Sequence, residues 1–277
     1  MKMNYILKAL FLLFTIMPVT DALGQARKKP STTSAKKKPA PKAKTIEQLV
    51  SELAQNMVYV EGGTFMMGTN YDDNDYFEIK ADETPAHEVT LSSYYICKYE
   101  VTQELWQAVM GDNPSKFKGA RLPVEHMRWE VCQEFISRLN SLTGETYRLP
   151  TEAEWEFAAR GGNKSKGFKF AGSNTLSEVA WYDDNSGNKT HNVGTKKPNE
   201  LGLYDMSGNA REWCNDLYGE TYYNHSKGAV NPQGPSRGAL HVYRGGDYFL
   251  PSKYSRVTNR NYQMISEGYG LGLRLAK

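Results

Sequence analysis

Between Gly202 and Cys214 the chain reads Gly-Leu-Tyr-Asp-Met-Ser-Gly-Asn-Ala-Arg-Glu-Trp-Cys, a stretch with neither helical nor strand periodicity. The carboxylates of Asp205 and Glu212, the amide of Asn209 and carbonyls around Gly208 and Ala210 make up an all-oxygen set. Hard cations such as calcium take ligands of this kind. The same residues also read as a tight turn ahead of a strand, and spacing alone leaves both readings open.

Other chemistries find less support. The five histidines, His87, His126, His191, His225 and His241, are scattered, with no local two-histidine, one-carboxylate spacing for iron. There is no Gly-x-Ser-x-Gly, no His-Glu-x-x-His and no phosphate-cradling glycine loop, so Gly245-Gly246 reads as a turn and Gly161-Gly162 as a helix stop. Cys97, Cys132 and Cys214 are an odd number without zinc spacing. Buried free thiols are the expectation, with a single bridge as the alternative.

The elements that must position these residues can be read from caps and periodicity. Thr45 and Gln48 resemble a capping box ahead of Ile46, Leu49, Val50 and Leu53, which predicts a short amphipathic helix. Thr102 caps a helix carrying Leu105, Trp106, Val109 and Met110 and stopped at Gly111. Another helix presents Trp129, Val131, Cys132, Phe135, Ile136 and Leu139 before a break over Asn140 to Gly144. Thr151 and Glu154 form a second capping box, opening a helix that ends at Gly161-Gly162. Strands are expected at Met57 to Val60, over one longer run from Glu88 to Ile96, around Val242 to Arg244 and at Leu271 to Leu275. The loop from Gly68 to Pro85, rich in Asp and Asn, reads as a solvated insertion, with cation binding as the alternative. Few helices, short strands and long glycine- and aromatic-held loops indicate an α+β domain.

The N-terminus is organised differently. Lys2 and Lys8 flank the start of an apolar run, Ala9 to Met17, too short to span a bilayer, and Ala22-Leu23-Gly24 offers a cleavage pattern before Gln25. Residues 1–24 read as a secretory signal. Residues 25–44, rich in Lys, Pro, Ala, Ser and Thr, read as a basic disordered linker, and residues 45–277 as one domain. Lys and Arg total 34 against 31 Asp and Glu. Ten of those bases but one acid fall within residues 1–44, leaving 24 bases against 30 acids in the remainder. That mildly acidic balance suits cation binding and disfavours nucleic acid.

The Gly202–Trp213 stretch resembles the signature of the formylglycine-generating enzyme, or sulfatase-modifying factor, family. Further blocks follow the family order: Val60-Glu61-Gly62-Gly63-Thr64-Phe65-Met66-Met67-Gly68, Glu83-Thr84-Pro85-Ala86-His87, Tyr99-Glu100-Val101-Thr102-Gln103, Arg148-Leu149-Pro150-Thr151-Glu152-Ala153-Glu154-Trp155, Arg244-Gly245-Gly246 and Gly272-Leu273-Arg274. The resemblance runs from about Met57 to Ala276 and implies a C-type-lectin-like fold. It implies calcium ligands at Asp205 and Glu212 through side chains and at Gly208 and Ala210 through carbonyls, and a second site carried over as Asn185 alone.

The oxidases of this family hold copper through two cysteines beyond the Gly-Gly turn. At those positions this chain has Leu250 and Ser255, with Asp247 and Arg211 also departing from the pattern. Copper(I) needs soft thiolates, so copper is not expected. The segment Tyr254 to Gln263 interleaves Tyr, Asn, Ser and Arg and resembles the variable region of retroelement-diversified lectin-like proteins. The resemblance also implies that the groove above Arg244-Gly245-Gly246, where the family's oxidases hold their substrate peptide, stays open, lined by Arg211, Asp247, Tyr248, Tyr254, Arg256 and Asn259.

The resulting expectation is an exported, periplasmic, envelope or secreted protein without a membrane span. It is non-catalytic, carries structural calcium and binds a protein or peptide partner, as within an envelope or secretion assembly, and not nucleic acid. The rival reading is a formylglycine-generating-type oxidase or other oxygen-dependent enzyme acting on a protein or peptide cysteine.

Overall fold

The computed structural model describes residues 43–70, 79–264 and 269–277. The expected secretory signal and nearly all of the basic linker lie outside these residues. Thr45 opens α1 (Ile46–Gln55): its hydroxyl accepts from the Gln48 N–H while the Gln48 side chain accepts from the Thr45 N–H, satisfying two donors that the first turn leaves orphaned. Leu49 and Leu53 on this helix are buried. They join a core cluster with residues of α2 (Gln103–Met110) and α3 (Trp129–Thr143), in which Trp106 stacks on Phe135 with centroids 4.8 Å apart. Left-handed Gly111 (φ 88°) and Gly144 (φ 72°) end α2 and α3, so α3 continues through the break expected from Asn140. The Thr151–Glu154 capping box forms as predicted and starts α4 (Glu152–Ala159), every residue of which is buried. A short α5 spans Leu176–Val179.

The strands are β1 (Met57–Val60), β2 (Gly63–Met67), β3 (His87–Leu91), β4 (Tyr94–Cys97), β5 (Arg211–Leu217), β6 (Ala229–Val230), β7 (Leu240–Arg244), β8 (Asn261–Met264) and β9 (Leu271–Gly272). They form a β1–β4 pair, a β2-β3-β6 sheet and a β8-β7-β5-β9 sheet. The single long strand expected from Glu88 to Ile96 is corrected: the chain leaves one sheet at Leu91 and enters another at Tyr94. Side-chain bonds hold the intervening turn, with Ser92 N–H donating to Asn231 Oδ1 at 2.7 Å and Ser93 Oγ accepting from Gly62 N–H at 3.0 Å. The irregularity expected through Cys214 ends at Ala210, because β5 begins at Arg211 and pairs antiparallel with β7 and parallel with β9. The strand expected over Leu271 to Leu275 shrinks to β9. The Leu273 and Leu275 carbonyls instead accept from Val101 and Cys97 N–H at 2.9 and 2.8 Å.

A second apolar cluster gathers Val60, Ile96, Trp155, Phe157, Leu203, Met206 and Val242 around α4. Cys97 and Cys132 lie in the first cluster and Cys214 in the second, and all three are free and buried.

Long coil needs partners for its backbone, and buried arginines supply them. Arg244 donates to the carbonyls of Thr258, Asn259 and Val257 at 2.9, 2.7 and 3.0 Å and pairs with Glu156. Arg260 pairs with Glu152 and Arg256 with Glu83, each at 2.6 Å. Despite its burial, Glu83 is held below the usual carboxylate range by Arg256 and the Thr258 hydroxyl. The described end of the Gly68–Pro85 loop is thus no solvated insertion: Asp82 and Glu83 are core residues. From Ala43 to Lys277 the described residues make one unit of α+β class.

Candidate functional site

The loop leading into β5 is built from successive left-handed residues, Asp205 (φ 58°), Gly208 (φ 80°) and Asn209 (φ 62°). Only glycine fits at Gly208, where a Cβ would stand 2.3 Å from the Trp181 carbonyl oxygen. Asn209 locks the loop at four points. Its N–H donates to Trp181 O at 2.8 Å, its Oδ1 accepts from His191 N–H at 2.9 Å, its Nδ2 donates to Glu100 Oε2 at 2.7 Å, and its carbonyl accepts from Tyr248 N–H at 3.1 Å.

Asp205 is buried, with Oδ2 accepting from Gly194 N–H at 2.7 Å, while Oδ1 has no hydrogen-bond partner. A buried carboxylate oxygen without a donor is costly, and burial pushes the Asp205 carboxyl up to about 6. Glu212 is engaged on both oxygens: Arg274 Nη2 donates to Oε1 at 2.6 Å, Arg274 Nε to Oε2 at 3.0 Å, and Trp155 Nε1 to Oε2 at 2.7 Å. Ala210 is fully buried, its N–H donating to Glu100 Oε1 at 2.9 Å.

The loop therefore brings Asp205, Gly208, Ala210 and Glu212 into one buried region, and adds Glu100 and Arg274, to which the sequence reading assigned no role. Their signal was a carboxylate and an arginine inside the Tyr99–Gln103 and Gly272–Arg274 blocks. Burial, with Asp205 and Glu212 nearby, raises the Glu100 carboxyl well above its ordinary range. Among the described residues no cluster of three or more His, Cys, Asp or Glu side chains is placed to hold a metal by itself. A cation here would need backbone carbonyls alongside Asp205 Oδ1, which is how hard cations are commonly held.

Asn185 is not brought to this loop by any contact. Its Oδ1 accepts from Tyr182 N–H and its Nδ2 donates to Ala180 O, both at 3.0 Å, so its amide closes a local turn.

The six expected groove residues separate into two buried pairs, the buried Tyr248 and a partly exposed Tyr254. Arg211 pairs with Asp247 at 2.7 Å and lies against the rings of Tyr243 and Phe249, at 5.1 and 5.4 Å from their centroids. Burial, offset in part by Arg211, pushes the Asp247 carboxyl up to about 6. Arg256 and Asn259 are buried on Glu83, with Asn259 Nδ2 donating to Oε1 at 3.0 Å. Tyr254 is half-buried beneath the ammonium groups of Lys80 and Lys253. The expected common groove is thereby corrected, because desolvated arginines are held in ion pairs instead of facing solvent. A cleft of about 550 Å³ does open nearby. It is lined by Lys116, His126, Asn188, Tyr248, Phe249 and Tyr269, and of the six only Tyr248 reaches it. His126 stands there in left-handed backbone (φ 70°), hydrogen-bonded to the buried Glu125 and edge-on to Tyr269.

Leu250 is partly exposed and Ser255 fully buried, with the Ser255 hydroxyl unpartnered. Burial raises the thiols of Cys97, Cys132 and Cys214, in core clusters whose residues do not include those lining the cleft.

Comparison with known proteins adds to this geometry. The profile of the sulfatase-modifying factor enzyme 1-like domain matches residues 42–277. A chaperone protein LppX of Paenibacillus barcinonensis is 40% identical over 213 residues, covering 58% of this chain and 71% of that protein. A formylglycine-generating enzyme of Streptomyces coelicolor is 32% identical, covering 62% and 60%. Among solved structures, Treponema denticola variable protein 1 superposes with a TM-score of 0.71 at 33% identity, over 79% of this chain and 94% of that one. The chain spans only about a third of the length of curated relatives from Chlamydia caviae and Chlamydia pneumoniae.

Proposed function

The chain belongs to the sulfatase-modifying factor enzyme 1-like family, and on that premise we propose that it is an exported, non-catalytic binding module stabilised by calcium. The observation that carries this reading is the pair Leu250 and Ser255. By the motif resemblance they fall where the family's oxidases carry copper-binding thiolates, and an aliphatic group and a hydroxyl are no ligands for copper(I). The three cysteines of the chain are buried in its core clusters and offer no substitute.

Calcium is supported by the donor chemistry of the loop. Asp205 Oδ1 is buried and unpartnered, and it would hold the ion with Glu212 and the carbonyls of Gly208 and Ala210. The ion would neutralise charge and tie the loop to β5. A protein or peptide partner is supported by the cleft, whose Tyr248, Phe249 and Tyr269 are aromatic side chains of the kind enriched in recognition surfaces, and by the chaperone designation of LppX. Export rests on the signal-like composition of residues 1–24. Among the described residues no helix is long and apolar enough to cross a membrane.

The test is incubation with a Cys-x-Pro-x-Arg sulfatase peptide, copper and reductant, read by mass for the aldehyde. We expect no conversion above a control lacking the protein, and conversion would overturn the reading in favour of an oxidase.

A further inference from the structure

Glu100 lies wholly inside the protein, 2% exposed, in the segment joining β4 to α2. A charge at such a position is expensive unless it does something that burial of an apolar residue would not. Its two oxygens go to consecutive residues of one loop, Oε2 to the Asn209 side-chain amide at 2.7 Å and Oε1 to the Ala210 N–H at 2.9 Å. No guanidinium or ammonium donates to it among the described residues. The positive group beside it is Arg274, whose donors are spent on Glu212 and on the carbonyls of Cys97 and Tyr204.

Counting the charges of this buried region gives Glu100, Asp205 and Glu212 against Arg274. Lys196, the next cation toward Asp205, is only partly buried and lies 4.0 Å from the Trp181 ring centroid. Three carboxylates thus share one buried guanidinium, and Glu212 takes it. The unpartnered Asp205 Oδ1 marks where a donor or ion is missing.

We propose that Glu100 is the positioning residue of the cation loop: its two hydrogen bonds fix Asn209 and Ala210 in the arrangement that takes a divalent cation. This rests on the calcium reading above. Glu100 touches the loop through its hydrogen bonds and need not touch the ion. Groups that orient ligands in this way typically contribute about 10- to 100-fold in metal affinity.

The test is calorimetric titration of calcium chloride into chelator-stripped, full-chain protein, with melting curves recorded in calcium and in chelator. Wild type, Glu100→Gln and Leu139→Ala are compared, the last being a core variant far from the loop in sequence that destabilises without touching it. Glu100→Gln should bind calcium about 10- to 100-fold more weakly and lose most of the calcium-dependent rise in melting temperature. Leu139→Ala should melt lower yet keep wild-type affinity. Should Glu100→Gln fail to fold, Asn209→Ala removes the amide that Glu100 holds and should show the same loss. Unchanged affinity in either variant would overturn the positioning role while leaving the calcium reading intact. If stripped wild type binds no calcium, the calcium reading itself fails and this inference with it.

Discussion

Glu212 and Arg274, 62 residues apart, meet in the core as a fork-to-fork pair, with Arg274 Nη2 2.6 Å from Glu212 Oε1 and both side chains essentially inaccessible to solvent. The pair ties β5 to the segment after β9, and Arg274 also donates to Cys97 O at the end of β4 at 2.9 Å and to Tyr204 O at 2.7 Å. Removing one partner strands the other charge in a dry interior. Arg274→Ala should therefore cost about 3–5 kcal/mol, read as a loss of roughly 6–20 °C in melting temperature. A shift of only a degree or two would mean that the pair contributes little to the fold.

Calcium should stabilise the protein through Asp205. An ion bound to native but not unfolded chain adds about 2.7 kcal/mol at a hundredfold excess over its dissociation constant. Excess chelator should lower the melting temperature of wild type, and Asp205→Ala should abolish that response. Identical curves with and without chelator in both proteins would refute calcium stabilisation.

Asp247 gives a pH dependence with a defined sign. Burial lifts its carboxyl to about 6 in the folded protein, against about 3.9 for an unperturbed aspartate. Its protonated form is thus favoured by folding, so its contribution is fully present below about pH 4 and is lost as pH rises through about 6. The stability advantage of wild type over Asp247→Asn should shrink by about 2 kcal/mol between pH 4 and 7, measured by urea unfolding. An advantage that is constant or grows with pH would contradict this environment for the carboxyl.

The thiols should be inert in the native state. Cys97, Cys132 and Cys214 are buried and free, and burial raises each thiol, suppressing the reactive thiolate. An aromatic disulfide reagent should label none quickly under native conditions and all three in denaturant. Rapid native labelling of one would mark it as accessible and reopen thiol chemistry.

What the sequence determined by itself are features written in short-range chemistry. The capping boxes at Thr45 and Thr151 and the glycine stop after α2 depend on residues a few positions apart, and each forms as read. The family blocks likewise carried the fold class, since a motif keeps its order whatever its environment. Tertiary structure decided the partners of the charges. Arg256 and Arg211 look like solvent-facing anchors when read along the chain, yet Glu83, 173 residues away, and Asp247 take them into the interior. Glu100 looks like one more carboxylate until the fold sets it against Asn209, 109 residues later. A charge carries no local mark of whether it will face water or an opposite charge. That is settled by which coil segments the packing brings together, and desolvation then makes the choice binding.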